Sequence, residues 1–138
     1  MIARVRDDRP VHLRRAISPF ALAAVFAVAG VTHFAAPRPY EAIVPAPFPP
    51  RATVYVSGVA ELALAAGLAH PRTRRRSGWA AVALLLAVWP ANIKMALDGG
   101  RFGSAPVAVT WARVPLQIPL ILWARSIARR AGTGGRPH

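Results

Sequence analysis

Glu61 and Arg113 have the strongest claim to chemistry in this chain, because each interrupts an otherwise uncharged apolar run. An ionisable side chain in hydrocarbon costs at least about 2.5–3.5 kcal/mol and normally turns toward a partner or a cavity. Counted from the outer start of its run, Glu61 lies about 14 Å deep and Arg113 about 12 Å deep, at about 1.5 Å of rise per residue. Opposite charges at one level predict an ion pair inside a helical bundle, with the guanidinium fork gripping the carboxylate in bidentate fashion. Such a pair can form a proton or ligand site, or it can clamp helix register and nothing more. The residues alone leave both readings open.

Neighbouring positions put further polar groups on the same inner faces. Ser57, Glu61 and Ala65 recur at i, i+4 and i+8, and Gly58 sits three before Glu61, so small residues line the side that approaches another helix. Thr110, Arg113 and Gln117 form an i, i+3, i+7 stripe. Pro115 and Pro119 free carbonyls in that helix, which could accept bonds from Arg113 or Gln117. Asn92 and Lys94 are two apart and point to different sides of an ideal helix. Lys94, near the outer end of its run, is placed to snorkel toward the interface. His33 lies at a similarly shallow depth with Gly30 and Phe26 on its face, and taken alone it reads best as an interfacial histidine bonded to a carbonyl. The candidate binding set is therefore Glu61, Arg113, Gln117, Asn92, Lys94, His33, Tyr55 and Ser57. It outlines a polar pocket open to the outer side and floored by Glu61 and Arg113.

Other chemistries drop out. The chain has no cysteine, which excludes disulfides, thiolate nucleophiles, thiolate metal sites and a dithiol relay within it. A bis-histidine haem needs two histidines at one depth, whereas His12, His70 and His138 fall in segments on the side opposite His33. Gly99, Gly100 and Gly103 lack the preceding strand and the following Lys-Ser/Thr of a phosphate loop. No Ser-His-acid set assembles on one side, so no metal site and no catalytic constellation is expected.

The elements that must hold these residues follow from length and hydropathy. At 138 residues the chain is one domain's worth. It is 54% hydrophobic with net charge +13 and a mean hydropathy of +0.35. Four apolar spans stand out, at about 16–36, 52–69, 77–97 and 105–124, the first matching the ~20 residues needed to cross a bilayer. A signal peptide would have a shorter apolar region, so the first span reads as an uncleaved helix. The six prolines between Pro37 and Pro50 forbid a regular helix there, and that segment reads as a cover packed on the bundle. Residues 1–15 form a basic arm and 125–138 a basic, flexible tail. Trp79, Trp89, Trp111 and Trp123 read as packing and interface anchors.

Arginine placement decides between the two partners that the composition suggests. Thirteen of the eighteen Lys and Arg residues fall in the arm, in Arg72–Arg76 and in the tail, which are segments of one face. The other face holds Arg38, Arg51, Arg101 and Lys94. That alternation obeys the positive-inside rule for four helices with both termini cytoplasmic, and it argues for anionic lipid and against nucleic acid. The expected fold is an all-α, antiparallel, up-down-up-down four-helix transmembrane bundle in the bacterial cytoplasmic membrane.

The order of features resembles the DoxX-like family of small four-helix membrane proteins. The likeness is carried by "GVTHFAAPRPYEAIVP", "YVSGVAELALAAGL", "HPRTRRRSGWAAVALLLAVWPANIKMAL" and "WARVPLQIPLILWA", running from about Gly30 to Ala124. Its most specific pieces are His33-Phe34 with Pro37, Ser57-Gly58 with Glu61, Pro90-Ala91-Asn92 with Lys94, and Arg113-x-Pro115-x-Gln117. The resemblance implies an accessory role in a membrane redox system, and the polar stripe under its proline-rich cover points to a quinone, a lipid or a membrane or extracytoplasmic redox partner at the outer-facing pocket. The cysteine pairs of some relatives are missing. A homo-oligomer is compatible with the pattern, and a small proton-coupled transporter is the alternative.

Overall fold

The computed structural model describes residues 18–98 and 104–133, and among them every regular element is helical. The helices are α1 (Pro19–Ala35), α2 (Pro37–Glu41), α3 (Pro50–Ala69), α4 (Arg74–Leu97) and α5 (Val107–Thr133). The basic arm and residues 99–103, between the third and fourth apolar spans, lie outside the described residues.

Local sequence explains where these helices start and stop. Ser18 caps α1 by accepting from the Ala21 N–H at 3.4 Å, and Pro19 occupies the first turn, where its missing N–H is no loss. The same tolerance corrects the expectation for the proline-rich segment. Pro37 opens the single-turn helix α2 and Pro50 opens α3, each at a position where proline fits. His70 adopts an extended conformation before Pro71 and ends α3. The Arg74 guanidinium then donates to the carbonyls of Leu68 (2.9 Å) and Ala69 (3.0 Å), satisfying acceptors that the end of α3 leaves open. Pro90, Pro115 and Pro119 sit inside helices that continue past them. α5 also runs nine residues beyond its expected end, because Arg125–Ala131 contains no proline or glycine to stop it.

Two closely packed pairs, α1 with α3 and α4 with α5, make up the molecule, and α3 meets α4 between them. Both pairs are antiparallel. Arg74, just past α3, covers the ring of Phe20 at the start of α1, while Gly58 in the first half of α3 abuts His33 and Phe34 near the end of α1. In the second pair Gly78 lies against Ala128, and Asn92 bonds Gln117. Leu22, Phe26, Leu64, Leu68, Leu85 and Ile127 form the apolar core.

Beside this apolar core the burial pattern departs from that of a water-soluble bundle. His33, Glu61, Asn92, Thr110 and Gln117 are buried, whereas Val28, Val31, Val56, Val59, Ile93, Leu116 and Leu122 face outward. Exposed apolar faces of this extent suit a lipid solvent. α3, α4 and α5 are long and apolar enough to cross a membrane. α1 is shorter, at 17 residues or about 25 Å, a few ångströms under a typical hydrocarbon core.

Candidate functional site

The close approach of α1 and α3 builds the site. A Cβ on Gly58 would stand 2.8 Å from the Phe34 ring and 2.9 Å from His33 Cβ, and one on Gly30 would stand 3.0 Å from the Gly58 carbonyl oxygen. Only a side chain of hydrogen lets the backbones come this near. The contact brings His33 over the helix face that carries Glu61, one turn beyond Ser57.

His33 Nδ1 lies 3.1 Å from Glu61 Oε2 and 2.7 Å from the Ala29 carbonyl oxygen. A carbonyl only accepts, so Nδ1 carries the hydrogen and aims it at Ala29. Glu61 Oε2 thus lies beside the imidazole nitrogen, yet it has no hydrogen-bond donor among the described residues. Ser57 Oγ, also buried, shares that condition. Tyr40, from the cover segment, stacks on the His33 ring at 3.9 Å, and its hydroxyl lies 2.7 Å from that of Thr32.

A cavity of about 100 Å³ sits above this cluster, lined by His33, Ser57, Glu61, Asn92 and Arg113 and covered by Tyr40, Ile43 and Val44. Arg113 stands in the cavity wall, which it shares with His33. The expected bidentate Glu61–Arg113 fork therefore gives way to a different arrangement. Among the described salt bridges Glu61 pairs with His33, which the close glycine contact between α1 and α3 holds over the face of α3. Arg113 supplies charge to the same chamber from across it.

The remaining candidates divide into those that support the chamber and those outside it. Asn92 Nδ2 donates to Gln117 Oε1 at 3.1 Å, and Gln117 Nε2 donates to the Leu85 carbonyl at 2.7 Å. Gln117 thus ties α5 to α4 and does not bond a proline-freed carbonyl of its own helix. Lys94 pairs with Asp98 and reaches the Ala42 carbonyl at 3.5 Å, and it stays out of the cavity wall. Tyr55 stacks on Phe34 with ring centroids 5.6 Å apart, beneath Arg51, and also faces away from the chamber.

Tyr40 was not among the residues expected at the site, although the proline-rich cover was. Its signal is an aromatic residue between prolines, which fixes no direction until α2 forms. His33 was expected there, but its contact with Glu61 depends on helix spacing that only the glycines encode.

Chemically, the chamber offers a buried carboxylate oxygen and a hydroxyl with unmet hydrogen-bonding capacity, a guanidinium, and an aromatic lid. Such a set can hold a small polar group or a proton in a dry setting. No group of three metal-ligating side chains occurs among the described residues.

No curated protein and no solved structure matches the chain. A family model described as "Domain of unknown function (DUF8561)" matches residues 22–128, a stretch that begins within α1, ends within α5 and includes every residue lining the polar chamber. The match covers most of the sequence, and the chain belongs to the DUF8561 family.

Proposed function

We propose that this chain is a DoxX-like integral protein of the bacterial cytoplasmic membrane, with four spans and both termini cytoplasmic. On this reading it is an accessory subunit of a membrane redox system and binds the polar group of a quinone, a lipid or a partner in an outer-facing chamber. The reading rests on one observation above all: a buried carboxylate oxygen lacks a donor in a cavity that Arg113 also lines. His33 Nδ1 approaches it at 3.1 Å without donating to it, and a buried polar atom without a hydrogen bond costs about 1–3 kcal/mol, which a bound donor would offset.

The donor set suits a quinone-type ring. Ser57 and Arg113 can donate to carbonyl oxygens, and Glu61 can accept from a hydroxyl. When bound, such a ring would supply two-electron redox chemistry, and the residues here would orient it and hold a proton at Glu61.

The test is to purify the full chain from membranes and identify what accompanies it by mass spectrometry. A lipid-soluble molecule or a redox partner that co-purifies with the wild type, and is lost in Glu61→Leu while membrane insertion persists, is the expected result. Protein of equal stability that carries nothing in either form would remove the basis for a binding role.

A further inference from the structure

The polar chamber does not end at its floor. Glu61, Val88, Asn92 and Arg113 also line a second cavity, of about 230 Å³, whose other walls are apolar apart from Gln117. Phe26 and Ala29 of α1 form one wall, and Leu120 of α5 contributes to the opposite one. α1 and α5 touch only thinly, so the space lies where the bundle is least closed. At its edge stand Val25, 44% exposed, and Leu116, 55% exposed, both on faces that would meet lipid. A largely apolar cleft thus runs from the lipid-facing surface to the same four residues that line the polar chamber.

We infer that a membrane amphiphile occupies this site, its apolar chain lying between α1 and α5 and its neutral, hydroxyl-bearing head reaching Glu61. This deepens the binding reading above and rests on it. Complementarity selects the occupant. Away from the polar chamber the cleft is lined by apolar side chains and by Gln117, whose amide is bonded to Asn92 and Leu85, whereas Glu61 Oε2 and Ser57 Oγ are buried oxygens without hydrogen-bond partners. A hydroxyl can donate to the first, and its own oxygen can accept from the second or from Arg113. Access from the bilayer then requires no opening of the Tyr40–Val44 cover, because the chain enters sideways.

The experiment uses the full chain in proteoliposomes and two photoactivatable probes. One is a monoacylglycerol with a diazirine in mid-chain. The other is a diazirine-bearing butanediol, which has the hydroxyl head and no chain. Peptide mapping is expected to find the chain probe on the inward residues Phe26, Ala29 and Leu120, competed by excess 1-oleoylglycerol, and the chainless probe on Tyr40 and Ser57. Leu116→Trp, which plugs the cleft mouth, should reduce chain-probe labelling of those inward residues at least fivefold and spare the chainless probe. Glu61→Gln should reduce both. Chain-probe labelling spread over the outward residues Val28, Val59 and Ile93, or unaffected by competitor, overturns the lateral site even if the chainless probe behaves as described. Labelling by both probes that Glu61→Gln leaves unchanged, or the absence of saturable labelling by either, overturns the binding reading as well.

Discussion

His33 Nδ1 stands 3.1 Å from Glu61 Oε2 across the α1–α3 contact while it bonds the Ala29 carbonyl at 2.7 Å. One nitrogen thus faces two acceptors, one in its own helix and one in the neighbouring helix. Residues in direct contact of this kind couple by about 0.5–3 kcal/mol. A double-mutant cycle with His33→Leu and Glu61→Leu, read from unfolding in detergent, should return coupling in that range. Glu61→Leu combined with Tyr55→Leu should add within about 0.5 kcal/mol, because Tyr55 packs on Phe34 outside the chamber. Equal coupling in the two cycles would mean that the 3.1 Å contact has no energetic content.

Gly58 sets the spacing on which that contact depends. A methyl there would fall 2.8 Å from the Phe34 ring and 2.9 Å from His33 Cβ, so Gly58→Val must push α1 away or force off-rotamer side chains. Overpacking of this kind costs about 1–3 kcal/mol. The expected outcome is a lower melting temperature together with loss of His33–Glu61 coupling in the variant background. A variant that melts with the wild type and keeps the coupling would show that the helices can separate without consequence.

The sequence signals that survived were those carried by a single helix. Hydropathy located α3 and α4 to within a few residues, and the i, i+4 and i, i+3, i+7 spacings put Ser57, Glu61 and Gln117 on inward faces, as their burial and the cavity lining bear out. What could not be read was the relation between helices. Depth arithmetic sets Glu61 level with Arg113 but carries no information on the spacing of α1 and α3, and it is the glycine contact there that holds His33 against Glu61. Proline content was over-read in the segment before α3, since a proline that breaks a helix interior is well suited to its first turn. Tyr40 illustrates the same limit, because its place against His33 exists only once α2 has turned.

Gln117 holds α4 and α5 together through two hydrogen bonds, accepting from Asn92 and donating to Leu85. Interhelical bonds inside membrane proteins are worth about 0.6 kcal/mol on average and about 1.7 at most. Gln117→Leu should therefore cost about 1 kcal/mol, and adding Asn92→Leu to it should change little, because Asn92 has already lost that acceptor. Lys94→Leu is the contrast. Its pair with Asp98 is partly exposed, and such pairs contribute about 0–1 kcal/mol. Detergent unfolding of the four proteins orders these effects, and a Lys94 cost above that of Gln117 would reverse the assignment of which residue braces the site.

Orientation can be tested because the wild-type chain has no cysteine to confuse a labelling experiment. Arg72, Arg75 and Arg76 line one cavity, Arg125, Arg129 and Arg130 line another, and Arg75 abuts Gly132, so all six gather at one end of the α4–α5 pair. On the proposed orientation the positive-inside rule puts this end on the cytoplasmic side. A membrane-impermeant maleimide should label Arg72→Cys only after cells are permeabilised, and Ser104→Cys in intact cells. Ser18→Cys reports on α1, whose 17 residues would span by thinning the bilayer locally. If α1 crosses, Ser18→Cys follows Arg72→Cys and stays protected in intact cells. Labelling of Ser18→Cys from outside would put the start of α1 on the far face and reduce the crossing helices to α3, α4 and α5.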